Sequence, residues 1–181
     1  MGQAGTFTPV KLICGIIANQ KTLFTSSESN LCKFFGKIDL KSDFFSFDYT
    51  DYYDKQMGPG LKRVFLSFLD LIPPENLSDI KTKTNHLEEK IKTNAEMKSR
   101  AVNLDPGYLT ASALIMATVK DFSHRIPLKD GIYAHLELLY GKNEIRTLPW
   151  TYPDYKKPDY HPFFLEVRKI YLKQIRDLRK S

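Results

Sequence analysis

Residues 10–18, VKLICGIIA, form a continuous apolar run rich in β-branched side chains. The run is short and shows no polar alternation, so it reads as a strand buried on both faces at the centre of a sheet. Its neighbours are then read as what covers or extends that strand. Residues 1–9 are expected to be a flexible N-terminal segment. Downstream, Thr25-Ser26-Ser27-Glu28 fits a capping box, in which a hydroxyl and a carboxylate three residues apart satisfy each other's free backbone amides. It predicts a short helix to Phe35, closed by Gly36. Lys37 to Asp48 reads as a second strand, ending in alternating Phe45 and Phe47. Asp48 to Gly60 lacks periodicity and reads as a long loop, of a length that usually accompanies function. Leu61 to Ile72 reads as a third strand.

Pro73-Pro74 ends that strand, and Leu77, Ile80, Leu87 and Ile91 then fall on one helical face, with Thr84 in the missing position of the stripe. Arg100 to Leu104 reads as a fourth strand. Leu104-Asp105-Pro106-Gly107 has turn chemistry, and Thr110 caps an expected helix over Ala111 to Val119. Ser123–Leu128, Ile132–Tyr140 and Glu144–Leu148 read as an antiparallel meander, with turns at Lys129-Asp130-Gly131 and Gly141-Lys142-Asn143. Leu148 to Tyr160 carries three prolines and reads as extended loop. His161-Pro162 opens a last helix with an apolar stripe from Phe163 to Leu178. The predicted class is α+β: one domain over residues 1–181, a mostly antiparallel sheet with helices on one face. Its first six elements follow the ferredoxin-like split β-α-β order, extended by a helix, the meander and the C-terminal helix.

Composition narrows the function classes. With 42% hydrophobic and 27% charged residues the chain is of soluble, globular type. No apolar run approaches the roughly 20 residues of a membrane span, and no secretory signal is recognised, which predicts a cytoplasmic protein without a membrane partner. Cys14 and Cys32 belong to no Cys-x-x-Cys pair, so they are expected to be free thiols. The net charge of +6 permits an anionic partner without demanding one.

Four segments combine aromatic, acidic and turn-forming residues in a mixture that packing alone does not ask for: 46–63, 103–110, 120–126 and 148–160. In the first, Asp48, Asp51 and Asp54 could bind a divalent cation or act as acid and base, or could simply satisfy turn amides. Tyr52 and Tyr53 stand among them as candidate ligand-binding rings. Gly58-Pro59-Gly60 precedes Lys62 and Arg63, a pairing that suits phosphate or a plain tight turn. Asn103, Asp105 and Tyr108 cluster at an expected strand end, a common place for ligand groups. His124 is a candidate general base, with Arg125 to steady an anion and His135 across from it on the next strand. No ligand spacing identifies a metal, so metal and cofactor stay unassigned. Trp150, Tyr152 and Tyr155 sit on a proline-stiffened loop, expected to cover the sheet edge with Trp150 buried and the tyrosine hydroxyls wet.

Taken in order, FDYTDYY, MGPGLKR, NLDPGYLT, KDFSHRI with GIYA just after it, and LPWTYPDY resemble the bacterial family catalogued as domain of unknown function 4416. The resemblance covers about Val10 to the C-terminal helix. It implies a cytoplasmic bacterial protein in which those segments are distinctive, and it carries over no catalytic role. The chain has no G-x-x-x-x-G-K-[ST] sequence, so a P-loop site is not expected.

Three functions remain open on the sequence. One is a binding module for a phosphate-bearing ligand, a nucleotide or RNA. Another is a phosphoesterase-type hydrolase using Asp48, Asp51, Asp105 and His124. The third is a scaffold for a protein partner. The expected ligand-binding residues are Tyr52, Tyr53, Lys62, Arg63, Asn103, Tyr108, Arg125 and Tyr152. If the reading is right, Asp48, Asp51, Asp105, His124 and Arg125 line one concavity.

Overall fold

The strand over Val10–Ala18 (β1) is buried at every residue, flanked by antiparallel partners on both sides. The computed structural model describes residues 2–3, 5–48, 51–142 and 144–180, leaving out the side chains of Asp51, Tyr52 and Asp54. The elements that follow β1 are α1 (Lys21–Phe35), β2 (Ile38–Lys41), β3 (Phe45–Ser46), α2 (Asp51–Met57) and β4 (Lys62–Ile72). Next come α3 (Leu77–Asn94), β5 (Asn103–Leu109), β6 (Ala113–Thr118), β7 (Ile126–Pro127), β8 (Tyr133–Tyr140), β9 (Ile145–Thr147) and α4 (His161–Leu178). The strands form one antiparallel sheet in the order β2-β4-β1-β5-β6-β8-β7, with β3 also on β4 and β9 also on β8.

Strand alternation divides the core into two layers. Even-numbered residues of β1 and β4 (Leu12, Cys14, Ile16, Val64, Leu66, Phe68) pack with Leu23, Phe24 and Leu31 of α1 and Ile80, Leu87 and Ile91 of α3. Odd-numbered Ile13 and Phe65 face the other way, onto Phe163, Phe164, Val167 and Tyr171 of α4. Helices therefore cover both faces, not the one expected. The reason is that a central strand apolar at every position needs a cover on each side. Each large side chain so buried contributes about 1.5–3 kcal/mol. The stripe expected on α3 is present, and Thr84 in its missing position is fully buried.

Several expectations need correction. The helix α1 begins at Lys21, so Thr25 to Glu28 lie inside it. There the Thr25 and Ser27 hydroxyls donate to the carbonyls of Lys21 and Leu23 instead of capping. The 37–48 strand is two short pieces on β4, and the 48–60 loop contains α2. The expected helix over 111–119 is the strand β6. Buried on both faces, ALIMAT shows no alternation, and periodicity cannot separate such a strand from a buried helix. The turn expected at 104–107 is also absent, because β5 runs straight through Pro106 and Gly107. The turn at 129–131 does form, with Asp130 and Gly131 at φ 56° and 73°. The last expected turn includes Asn143, which lies outside the described residues.

Candidate functional site

The site exists because the β5–β6 hairpin opens. At its closed end the Thr110 hydroxyl accepts from the amides of Ser112 (3.2 Å) and Ala113 (2.9 Å). Pairing then runs from Leu109↔Leu114 to Gly107↔Met116 and stops. A Cβ on Gly107 would lie 2.6 Å from the Ile115 carbonyl and 2.5 Å from Met116 Sδ, so only glycine lets the strands meet there. One residue on, Pro106 removes a backbone N–H on the side away from β1, where β6 no longer runs. Beyond it, α3 supplies the groups a strand would have supplied. Glu88 Oε1 accepts the Leu104 amide at 2.7 Å, and Lys81 Nζ donates to the Leu104 carbonyl at 2.8 Å.

The opening is a cleft of about 550 Å³ lined by Phe47, Tyr53, Arg63, Lys81, Asn85, Arg100, Asn103, Asp105, Thr118, Lys120, Tyr152 and Asp154, among others. Arg63 is its electrostatic hub. Its guanidinium is 4% exposed, donates to Asp105 at 3.0 Å and to Asp154, and lies over the Phe47 ring at 4.8 Å. Burial works against its charge. Asp154, then Tyr155 and Asp105, overcome that burial and hold Arg63 above the ordinary arginine value. The Asp105 side chain is 26% exposed and opens to the cleft.

Asn103 is 2% exposed. Its Oδ1 accepts from Arg100 Nη2, which fixes the orientation of the amide. Its Nδ2 is then left without a partner among the described residues. Lys81, 5% exposed, donates to the Leu104 carbonyl and forms no ion pair among the described residues. Two buried donor groups therefore border the cleft, one unpaired and one bonded only to a carbonyl, an arrangement that costs free energy unless an acceptor completes it.

The far wall is held by side chains. Register shifts between Leu114↔Leu138 and Ile115↔Leu136, so Glu137 is the extra residue of a bulge in β8. The groups this frees fasten the 148–152 loop. Glu137 Oε1 accepts the Tyr152 amide at 2.7 Å, the Glu137 carbonyl accepts the Thr151 hydroxyl, and the Leu136 carbonyl accepts Trp150 Nε1. His135 Nε2 lies 2.8 Å from Glu137 Oε2, and its ring stacks on Tyr152 at 4.9 Å. Burial, against the pull of His135, raises Glu137 above the ordinary carboxylate range. Arg125 ties the wall together, donating to Tyr152 Oη (2.8 Å), His135 Nδ1 (3.2 Å) and the Lys120 carbonyl (2.7 Å). His124 stacks on Trp150, with its Nε2 3.2 Å from His135 Nδ1. Desolvation, then His135 and Arg125, lower the His124 imidazole below its ordinary value. The expected burial of this loop is inverted: Trp150 is 37% exposed and Tyr155 1%. The indole nitrogen reaches a carbonyl at the rim while Tyr155 fills the space above Phe65.

Of the residues singled out in the sequence, Tyr53, Arg63, Asn103, Asp105 and Tyr152 meet in the cleft. Arg125 stands behind Tyr152, and His124 on the outer side of His135. Lys62 is exposed, pointing away from buried Arg63 as strand alternation requires. Tyr108 lies on the opposite face of β5 from Asp105, packed against Leu77, Ala117 and Ile132. Asp48 is exposed, 4.0 Å from Lys157. The side chains of Asp51, Tyr52 and Asp54 lie outside the described residues. The gathering of Asp48, Asp105, His124 and Arg125 in one concavity does not occur; of these, Asp105 alone lines the cleft. Sequence reasoning missed Lys81, Asn85, Arg100 and Asp154. A signal existed for Lys81, which follows Ile80 on the buried side of α3, and for Asp154, which stands inside the aromatic 148–160 segment.

Residues 8–171 match the family model described as Domain of unknown function (DUF4416). The chain belongs to this family. Every cleft residue of this DUF4416 chain lies within the matched span. No curated protein and no solved structure matches it. Among the described residues no three His, Cys, Asp or Glu side chains are grouped to hold a metal ion, and no helix is long and apolar enough to cross a membrane.

Proposed function

We propose that this protein is a binding module whose cleft takes a small phosphate-bearing ligand with a planar ring, a nucleotide in size. The observation that carries the reading is the buried Asn103 amide nitrogen, unpartnered among the described residues, in a cleft also lined by Lys81: both are donors suited to an anionic oxygen. The volume falls in the usual range for small-molecule sites. Among the described residues four basic side chains (Arg63, Lys81, Arg100, Lys120) line it against two acidic ones (Asp105, Asp154), and Tyr53 and Tyr152 offer rings. A cleft of this volume favours a nucleotide over an RNA strand, which needs a long basic track with exposed aromatic platforms. It also favours binding over phosphoester hydrolysis, because His124 and Arg125 do not line it. A protein scaffold is the second reading, supported by exposed Val119, Phe122, Ile126 and Leu128 around β7. We further infer that β2-β4-β1-β5, with α1 and α3 on one face, is a ferredoxin-like split β-α-β unit to whose β5 edge the later strands are added.

Calorimetric titration with inorganic phosphate, pyrophosphate and adenosine monophosphate tests the binding reading. Lys81→Met and Asn103→Ala should each weaken binding about tenfold, as loss of one hydrogen bond involving a charged group does. Millimolar concentrations of all three probes that bind neither protein nor variants would count against it.

A further inference from the structure

We infer that the ligand carries vicinal hydroxyl groups beside its anion, as a ribose phosphate does, and that Asp105 is the residue that reads them. This rests on the cleft being the anion site proposed above.

Asn103 and Asp105 are two residues apart on β5, so their side chains leave the same face of the strand. One offers donors and the other only acceptors. Asp105 Oδ2 takes Arg63 Nη2 at 3.0 Å, and no described residue donates to its Oδ1. The carboxylate is partly exposed, so its remaining lone pairs face the cleft. Arg63 is shared between Asp105 and Asp154, so one guanidinium neutralises one of two carboxylates and a net negative charge remains on that side. Lys81, held at the Leu104 carbonyl, carries the positive side. The cleft is therefore bipolar.

A bare phosphate suits only the basic side, because the Asp105 carboxylate repels it. A ligand that satisfies both sides needs hydrogen-bond donors a few atoms from its anion. Two adjacent hydroxyls do this well: each donates to a carboxylate oxygen in a charge-assisted bond, and neither brings a charge that must be desolvated. The spacing of donor and acceptor along β5 also orders the two ligand parts, with the anion toward Asn103 and Lys81 and the hydroxyls toward Asp105.

The test is calorimetric titration of the full chain with ribose 5-phosphate, 2-deoxyribose 5-phosphate, phosphoserine and inorganic phosphate, on wild type and on Asp105→Asn. The substitution keeps an acceptor for Arg63 and the shape of the side chain. Ribose 5-phosphate should bind about tenfold more tightly than its deoxy counterpart, the worth of one charge-assisted hydrogen bond. In Asp105→Asn that preference should fall to about twofold or less, while the affinity for inorganic phosphate does not decrease. Equal wild-type affinities for the two sugars, with inorganic phosphate still bound, would overturn the role of Asp105 and leave the anion site standing. Tighter binding of phosphoserine than of ribose 5-phosphate would overturn the hydroxyl reading in favour of an ammonium-bearing ligand. Binding of none of the four would remove the anion site and this inference with it. The wild-type comparison decides the matter even if the variant folds poorly.

Discussion

The two walls of the cleft are built by different means. The β5 wall belongs to the sheet: one edge of the strand is paired with β1 along its length, and Lys81 and Glu88 occupy the other where β6 has left. The opposite wall, from Thr118 to Tyr152, is mostly loop, fastened by the bulge at Glu137 and the three bonds of Arg125. A wall made from a central strand cannot move without breaking the fold. A wall made from side-chain fastenings can be loosened one bond at a time. The difference separates substitutions that unfold the protein from those that reshape its site.

The sharpest way to break the comparison is at Arg63. Arg63→Met leaves Asp105 and Asp154 without their cation beside the central sheet, and should cost about 3–5 kcal/mol of global stability, measured by denaturant unfolding. A variant as stable as wild type would show that the β5 wall does not depend on this pairing. A smaller effect is expected where the walls join. Gly107→Ala forces a Cβ against the Ile115 carbonyl and should cost about 1–3 kcal/mol, while also displacing β6 and altering whatever the cleft binds. An unchanged midpoint would mean that the strands can separate further without loss.

The smallest effect concerns the fastened wall and depends on pH. Burial raises Glu137 above its ordinary 4.5, so the folded state holds that proton to higher pH than the unfolded chain does. Its contribution is therefore complete below about pH 4.5 and lost as pH rises through the raised folded value. Relative to Glu137→Gln, wild type should lose stability from pH 4.5 upward, by no more than about 1.4 kcal/mol per pH unit. Parallel stability curves for the two proteins between pH 4 and 8 would rule this out.

Much of the scaffold was legible in the sequence, and the reasons are local. Val10–Ala18 announces a doubly buried strand by its unbroken β-branched run. The stripes of α3 and α4 repeat at helical spacing, and Asp130-Gly131 needs the positive φ that it adopts. The hairpin that makes the site was misread for an equally physical reason. Pro106 and Gly107 have turn chemistry in isolation, yet their use here is to deny a ladder bond and to admit a close strand. Only the position of β6 reveals that use, and β6 hides because burial on both faces erases its period. The cleft residues Tyr53, Asn103, Asp105 and Tyr152 stood out by composition. Arg100 did not, because an arginine after a linker resembles any solvated charge until the groups it serves are known, and Lys81 was marked only by its place next to Ile80 on the buried side of α3.

The sheet's outer pieces carry a further consequence. On one side lie β2 and β3, of four and two residues. On the other lie β7 and β9, of two and three, and β7 contains Pro127. The long outer strands, β4 and β8, are therefore fringed by fragments whose backbone offers a newcomer few consecutive bonds, one of them lacking an N–H. Such fringes make a poor template for strand addition, so a sheet with an apolar centre is guarded against growing into a fibre through its own edges.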